Sequence, residues 1–461
     1  MGSKVFESIN PATGESVGRY AALTEEELDL QLGKTALASK EWRRRSMQDR
    51  VIAIARLGRE LEKSSSELSR LITIEMGKPI SQSESEIEKC ARLCSYYAEH
   101  GPSFLAPMQV EGNAAATSRV RFDPLGAVLA VMPWNFPFWQ VFRFAVPALL
   151  AGNVGVLKHA SNVFGCATAI ERLFLEAEFP PGVFVSLKVG HDAIPDLVAN
   201  PLIQAVTLTG SEPAGRSIAE HAGKHLKKAV LELGGSDPFI VLDDVDLPWV
   251  VEQAVASRTL NSGQSCISAK RFLIQESIYG EFVRLMAERM KSLRVGDPLE
   301  PATEVGPLAR EDLRDDLHDQ VRRSLDEGAV CVTGGESLDR TGWFYAPTVL
   351  SDVTPGMPAF DEELFGPVAA VIRVKDAEQA IELANRSTFG LGASVWTNDI
   401  DQAEQMASRI EAGNVFINDF VKSDPSLPFG GVKNSGFGRE LGEFGIREFV
   451  NIKTVWVGAR E

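Results

Sequence analysis

Cysteine is scarce in this chain: it has 5 in 461 residues, Cys90, Cys94, Cys166, Cys266 and Cys331. An odd, sparse set excludes a disulfide framework. Cys90 and Cys94 stand one helical turn apart with no second pair, which excludes a structural zinc site. Long apolar runs are missing too. No stretch approaches the roughly 18 continuous apolar residues of a membrane span. The start, "MGSKVFESINPATGE", has no apolar signal core, and Phe6 stands where a myristoylation motif needs Ser or Thr. A reducing cytoplasm is the expected location. Positive charge is short as well: Lys and Arg number 47 against 63 Asp and Glu, a formal net charge of −16. That is the wrong sign for a nucleic-acid or anionic-membrane binder, although it leaves room for a local basic pocket.

The usual phosphate and metal motifs are also absent. "GKT" at 33–35 has Leu28 where a P-loop needs its first Gly. "GFGREL" at 436–441 begins like a dinucleotide fingerprint, but it lacks the third Gly and follows no apolar strand. "HAGKH" at 221–225 lacks the Glu that a metalloprotease helix needs after its first His. No metal site is expected.

What is present reads as a folded protein, with 44% hydrophobic and 24% charged residues. Its length calls for two or three domains. "TEEELDLQLGKTALASKEWRR" predicts a helix behind a Thr cap. A long helical region follows, ended by Gly77 and Pro79, and "ISQSESEIEKCARLCSYYAEHG" predicts another helix. From about residue 118 the texture changes to short apolar strands alternating with helices. That pattern predicts parallel sheets with crossover helices. A second alternating series starts at "SDPFIVLDDVD", which places a domain boundary near Gly234–Gly235.

The segments with chemical promise sit where strands end, the side on which open α/β sheets bind ligands. "VTLTGSEPAGRSI" puts Gly210 and Ser211 between strand and helix, where free N–H groups favour a phosphate. An ordinary strand–helix turn explains them equally well. In "VGVLKHAS", Lys158 leaves a buried strand where its ammonium meets either a phosphate or solvent. Cys266, in "NSGQSC", follows Gly263 and Gln264, which deny it a regular strand or helix interior. If a helix begins there, its N-terminus would lower the thiol pKa. Spacing alone leaves nucleophile and small hydrophobe both open.

Five motifs decide between them. "PWNFPF", "LELGG", "NSGQSC", "EELFGP" and "PFGGVKNSGFGRE" occur here in the order seen in the aldehyde dehydrogenase superfamily, and the resemblance runs from "INPATGE" nearly to the C-terminus. It implies an α/β fold with a Rossmann-type cofactor domain, an α/β catalytic domain and a small β oligomerisation extension. The boundaries it implies are 1–112 and 132–233 for the cofactor domain, to which 431–445 returns. The catalytic domain takes 234–430, and the extension takes 113–131 and 446–461. A homodimer or homotetramer follows, since "NIKTVWV" would otherwise be an exposed edge strand.

The same resemblance implies the site. Cys266 matches the nucleophile, Asn135 the side-chain oxyanion donor and Glu232 the base that hydrolyses the thioester. Trp134, Lys158, Ser161, Gly210, Ser211, Glu363 and Phe365 match cofactor positions. Ser161 stands where many NAD-preferring members carry Glu. Its small hydroxyl leaves room for a 2′-phosphate that Lys158 neutralises, so NADP is expected over NAD. Ser161 also reads as a helix N-cap.

Arg143 lies eight residues after Asn135, as the carboxylate-binding arginine does in succinate-semialdehyde dehydrogenases. In an apolar helix it needs a partner, either the substrate's carboxylate or a structural Glu. Leu260 stands where some relatives carry a second arginine; Ser423 is the expected substitute. Ser268 replaces a second cysteine found in some relatives, so their disulfide switch cannot form here. The expected activity is oxidation of succinate semialdehyde. A broader aldehyde dehydrogenase and a non-catalytic protein on the same fold are the alternatives.

Overall fold

The computed structural model describes residues 4–110 and 116–458. Four helices build the N-terminal flank: Glu25–Trp42, Met47–Lys63, Ser65–Met76 and Ile80–Phe104. Thr24 caps the first in a capping box with Glu27. The long helical region is two helices parted at Ser64, and Gly77 ends the second in the left-handed region at φ 80°.

Two sheets carry the fold. The first has six strands in the order Gly436–Phe437, Lys228–Glu232, Ile203–Thr209, Ala127–Met132, Val154–His159 and Phe184–Ser186, all parallel except the first. Every residue of Ala127–Met132 is buried, because helices cover both faces of the sheet. The chain builds outward from Ala127–Met132 on one side, then crosses back to Ile203–Thr209 on the other. This reversal opens a crevice beyond the carboxyl ends of the strands.

The second sheet has seven strands in the order Val330–Thr333, Thr348–Ser351, Val368–Val374, Arg271–Gln275, Pro238–Val241, Gly392–Trp396 and Asn414–Ile417, with only Val330–Thr333 antiparallel. It begins just after Gly235. A third, antiparallel sheet joins Val450–Gly458, Ala116–Pro124 and Met108–Val110.

The expected extension boundaries need correction. Ala127–Val131, assigned to the extension, runs through the middle of the first sheet because its side chains are wholly apolar and need cover on both faces. Met108–Val110, assigned to the cofactor domain, pairs into the extension. The helix Gly442–Ile446 packs on Ile80–Phe104, so the second extension segment starts only at Val450. Residues 113–115 and 459–461 of the expected extension lie outside the described residues. Ile452, Trp456 and Val457 are exposed on the edge strand. Among the described residues, no helix is long and apolar enough to cross a membrane.

Two helices start on carboxylates from distant helices rather than on their own caps. Glu75 accepts from Gly165 N (2.9 Å) and Cys166 N (2.8 Å) at the start of Phe164–Glu176. Glu86 Oε1 accepts from Phe138 N and Trp139 N, both at 2.9 Å, at the start of Trp139–Leu150. A carboxylate there satisfies orphan donors and the positive end of the helix dipole. The other Glu86 oxygen pairs with the fully buried Lys78. Glu86→Ala should therefore strand a buried cation and two amides, lowering stability by about 3–5 kcal/mol in denaturant unfolding. A loss under about 1 kcal/mol would show the pair to be dispensable.

Candidate active site

The loops that end the strands of the first sheet converge with those of the second. Trp134 and Asn135 follow Met132, Lys158 and Ser161 end the next strand, Gly210 and Ser211 follow Thr209, and Glu232 ends Lys228–Glu232. The second domain adds Cys266, between Leu260–Gly263 and Arg271–Gln275, and Glu363 with Phe365 just before Val368–Val374.

Cys266 sits in an unusual turn. Asn261, Ser262 and Gly263 all take positive φ, at 54°, 56° and 78°. Asn and Gly adopt this region readily, whereas Ser is strained there. A Cβ at position 263 would lie 2.2 Å from the Gly366 carbonyl oxygen, so only Gly fits. The buried side chains around it hold the turn. Arg258 donates to Gly263 O (2.6 Å) and Ala269 O (2.9 Å). Gln264 Oε1 accepts from Ala309 N (2.8 Å). Lys270, fully buried, donates to Ser265 O (2.9 Å) and Cys266 O (2.8 Å) and pairs with Glu363 at 3.4 Å. Arg258 is wholly buried against this backbone and lines neither of the cavities at Cys266.

No helix begins at Cys266, so the conditional expectation of a thiol acidified by a helix N-terminus fails. Burial instead pushes the thiol up to about 12, against the opposing pull of Lys270 and Arg143. The Cys266 N–H donates to no acceptor among the described residues. Asn135 Nδ2 donates to Gln264 O (3.0 Å), and Gln140 donates to Asn135 Oδ1 (3.1 Å). That network aims the Asn135 amide hydrogens at the cysteine turn and leaves one free.

Cys266 lines two cavities. One, of about 350 Å³, is also lined by Trp134, Asn135, Gly210, Ser211, Glu363 and Phe365. Trp134 and Phe365 meet edge to face, with centroids 5.8 Å apart. The Ser211 hydroxyl makes no capping bond at the start of Glu212–Lys224. Lys158 is half-buried, which lowers its pKa, and it forms no ion pair among the described residues. Ser161 is exposed and is not the expected N-cap, since Ala160 and Val163 hold the cap positions there.

The other cavity, of about 230 Å³, is walled mainly by Phe136, Trp139, Leu260, Phe420 and Phe429, with Lys89, Arg143 and Ser423 among its polar residues. Arg143 departs from its favoured reading. Its guanidinium pairs with buried Glu440, stacks over Phe429 (4.9 Å to the ring centroid) and reaches Thr209 Oγ1 (3.4 Å). The protein itself supplies the carboxylate that the helix position requires. Ser423 Oγ does face this cavity, accepting from Lys89 Nζ (2.8 Å) and Trp139 Nε1 (3.1 Å).

Glu232 is buried under the wall and lines neither cavity. Neither of its oxygens has a hydrogen-bond partner among the described residues. Burial first, and then the Glu440 charge, hold its pKa well above the ordinary glutamate range. Three residues further on, Gly235 packs against the Cys266 carbonyl oxygen.

Sequence reading missed Lys89, Lys270, Gln140 and Glu440. Lys270 carried one signal: a lysine entering the apolar run "RFLIQ" must be buried and therefore partnered. Lys270→Met should leave the carbonyls of residues 265 and 266 unpaired and Glu363 unbalanced, lowering stability by about 3–5 kcal/mol in chemical denaturation. An unchanged midpoint would show that the turn holds without its clamp.

The aldehyde dehydrogenase family pattern matches residues 1–455. A succinate semialdehyde dehydrogenase [NAD(P)+] of Escherichia coli (strain K12) is 49% identical over 97% of each chain. A probable NADP(+) succinate-semialdehyde dehydrogenase of Synechocystis is 49% identical over 98% of this chain and 99% of its own. The crystal structure of succinic semialdehyde dehydrogenase from Streptococcus pyogenes with NADP+ superposes at a TM-score of 0.96 with 37% identity, over 98% of this chain and 100% of that one. A family pattern spanning nearly the whole chain, and a cysteine turn flanked by its amide donors, place this protein in the aldehyde dehydrogenase family.

Proposed function

We propose that the protein oxidises succinate semialdehyde to succinate with NADP, using NAD less well. One observation carries the reading: Cys266 stands in the wall shared by the two cavities, beside Asn135 and its own unengaged N–H. A sulfur so placed meets an aldehyde from one side and a hydride acceptor from the other. The names of the relatives support this substrate and cofactor.

The larger cavity fits a dinucleotide. It lies at the switch point of the first sheet, with a free hydroxyl at Ser211; Lys158, outside its lining on a neighbouring strand end, is a cation with no carboxylate partner among the described residues. Glu363 and Phe365 would hold the ribose and nicotinamide, Trp134 would back the ring, and Lys158 with exposed Ser161 would take the 2′-phosphate. When bound, the cofactor accepts the hydride.

The protein's own groups do the rest. The raised thiol pKa means that Cys266 is protonated at neutrality and must lose its proton on attack, and Glu232, the strand-end carboxylate that matches the family's base, is assigned to take it. The carboxylate must swing out of its buried position to reach it. Sulfur adds to the aldehyde carbon, and the oxyanion is held by Asn135 Nδ2 and the Cys266 N–H. Loss of hydride leaves a thioester. Glu232, having passed the thiol proton to solvent, takes a proton from water; the hydroxide adds to the thioester carbonyl, the C–S bond breaks to release the acid, and the proton returns to the sulfur. Because its pKa is raised, Glu232 is neutral at low pH and gains its base form as pH rises. Glu440 and Arg143 tune that step through charge.

Assembly through the third sheet belongs to the same reading. Edge strand Val450–Gly458 exposes Ile452 and Trp456, and pairing with another copy would cover them. A homodimer or homotetramer acting on a small aldehyde is the form proposed, with no nucleic acid or membrane partner.

Steady-state oxidation of succinate semialdehyde with each cofactor tests the reading. NADP should give the higher kcat/KM, and Cys266→Ser should lower turnover by at least about 10³-fold. Undiminished turnover in that variant would refute the covalent route. Arg143→Ala provides a second check. Because its partner is Glu440, the variant should lower kcat for succinate semialdehyde and butanal alike and cost about 3–5 kcal/mol of stability. A KM effect confined to succinate semialdehyde would restore Arg143 as the substrate's anchor.

A further inference from the structure

The smaller cavity must distinguish an aldehyde with a distal carboxylate from one without. Three cationic residues line it: Lys89, Arg143 and Lys422. Arg143 is paired with Glu440, and Lys422 with Asp419. Lys89 alone has no carboxylate partner among the described residues. Its ammonium donates to Ser423 Oγ at 2.8 Å and lies 4.1 Å over the Trp139 ring. Neither contact neutralises the charge.

The acids around it are already engaged. Glu86, one helical turn earlier, gives one oxygen to Lys78 and the other to two backbone amides. Asp424 accepts from Ser426 N (2.9 Å) and Ser426 Oγ. Ser423 accepts two hydrogen bonds, from Lys89 and Trp139, so its own hydroxyl hydrogen is free to donate. Lys89 and Ser423 together thus offer one positive charge and unused donors at the wall of a cavity that also reaches Cys266.

We propose that Lys89, with the Ser423 hydroxyl, binds the distal carboxylate of the substrate and sets the enzyme's preference for a short ω-oxo acid. The proposal rests on the reading of the cavity as the aldehyde site. It assigns to Lys89 the role expected of Arg143. Burial and the nearby Arg143 push the Lys89 ammonium down to about 8, and a bound carboxylate opposes both effects. Placing an anion there is therefore favoured from both sides. The ammonium gains a counter-ion, and the carboxylate exchanges water for charge-assisted bonds.

The test compares succinate semialdehyde with butanal, an aldehyde of the same carbon count without the charge, at saturating NADP. The ratio of the two kcat/KM values should fall about ten- to a hundredfold in Lys89→Met, with the loss in KM rather than kcat. Lys89→Arg, which keeps the charge, should recover much of the ratio. A ratio unchanged within about threefold in Lys89→Met overturns the assignment. If wild-type enzyme itself shows no preference for succinate semialdehyde, the proposed function fails, and this inference with it.

Should Lys89→Met fail to fold, amine labelling of the wild-type protein decides. Succinate, but not butyramide, should protect Lys89 from trinitrobenzenesulfonate, as read by mass spectrometry. Equal labelling with both overturns the proposal.

Discussion

The site depends on a buried ammonium. Lys270 is wholly inaccessible, and it holds the carbonyls of Ser265 and Cys266 together with Glu363. Burying such a charge costs more than any one contact returns unless all its donors are used. Here they are used on the turn that presents the sulfur. The same ammonium pairs with Glu363, so Cys266 and one wall of the larger cavity share a support. The left-handed run at residues 261–263 is strained backbone, and Arg258, Lys270 and Gln264 keep it from relaxing.

Charge is handled differently on the two sides of Cys266. Glu232, Glu440 and Arg143 form a buried group in which the arginine is already matched by Glu440. Such a group stores a proton at a carboxylate whose neighbours penalise its charge. In the smaller cavity the arrangement is reversed, with Lys89 set among aromatic walls and given no carboxylate partner among the described residues.

The alternating strands and helices were readable along the chain, because they depend on neighbours in sequence. The boundaries of the extension were not. Ala127–Met132 reads as an apolar strand, and only pairing with Val154–His159 and Ile203–Thr209 shows which sheet owns it. Arg143 illustrates the same limit in the site. Its need for a partner was legible from the apolar helix around it. The choice between a ligand and Glu440, almost three hundred residues later, was not.

The amino-acid sequence by itself determined the chemistry available: a thiol after a Gly-Gln turn, an amide donor, a strand-end carboxylate and an α/β scaffold to carry them. Those properties are local, set by residue type and short-range backbone preference. Tertiary structure decided which charges are matched and which are free. Lys89, Arg143 and Lys422 look alike in sequence. Long-range packing brings Glu440 to one and the local loop brings Asp419 to another, while the third faces the cavity with no carboxylate partner among the described residues. Pairing is a matter of distance in space, and distance in space is what the order of residues leaves open.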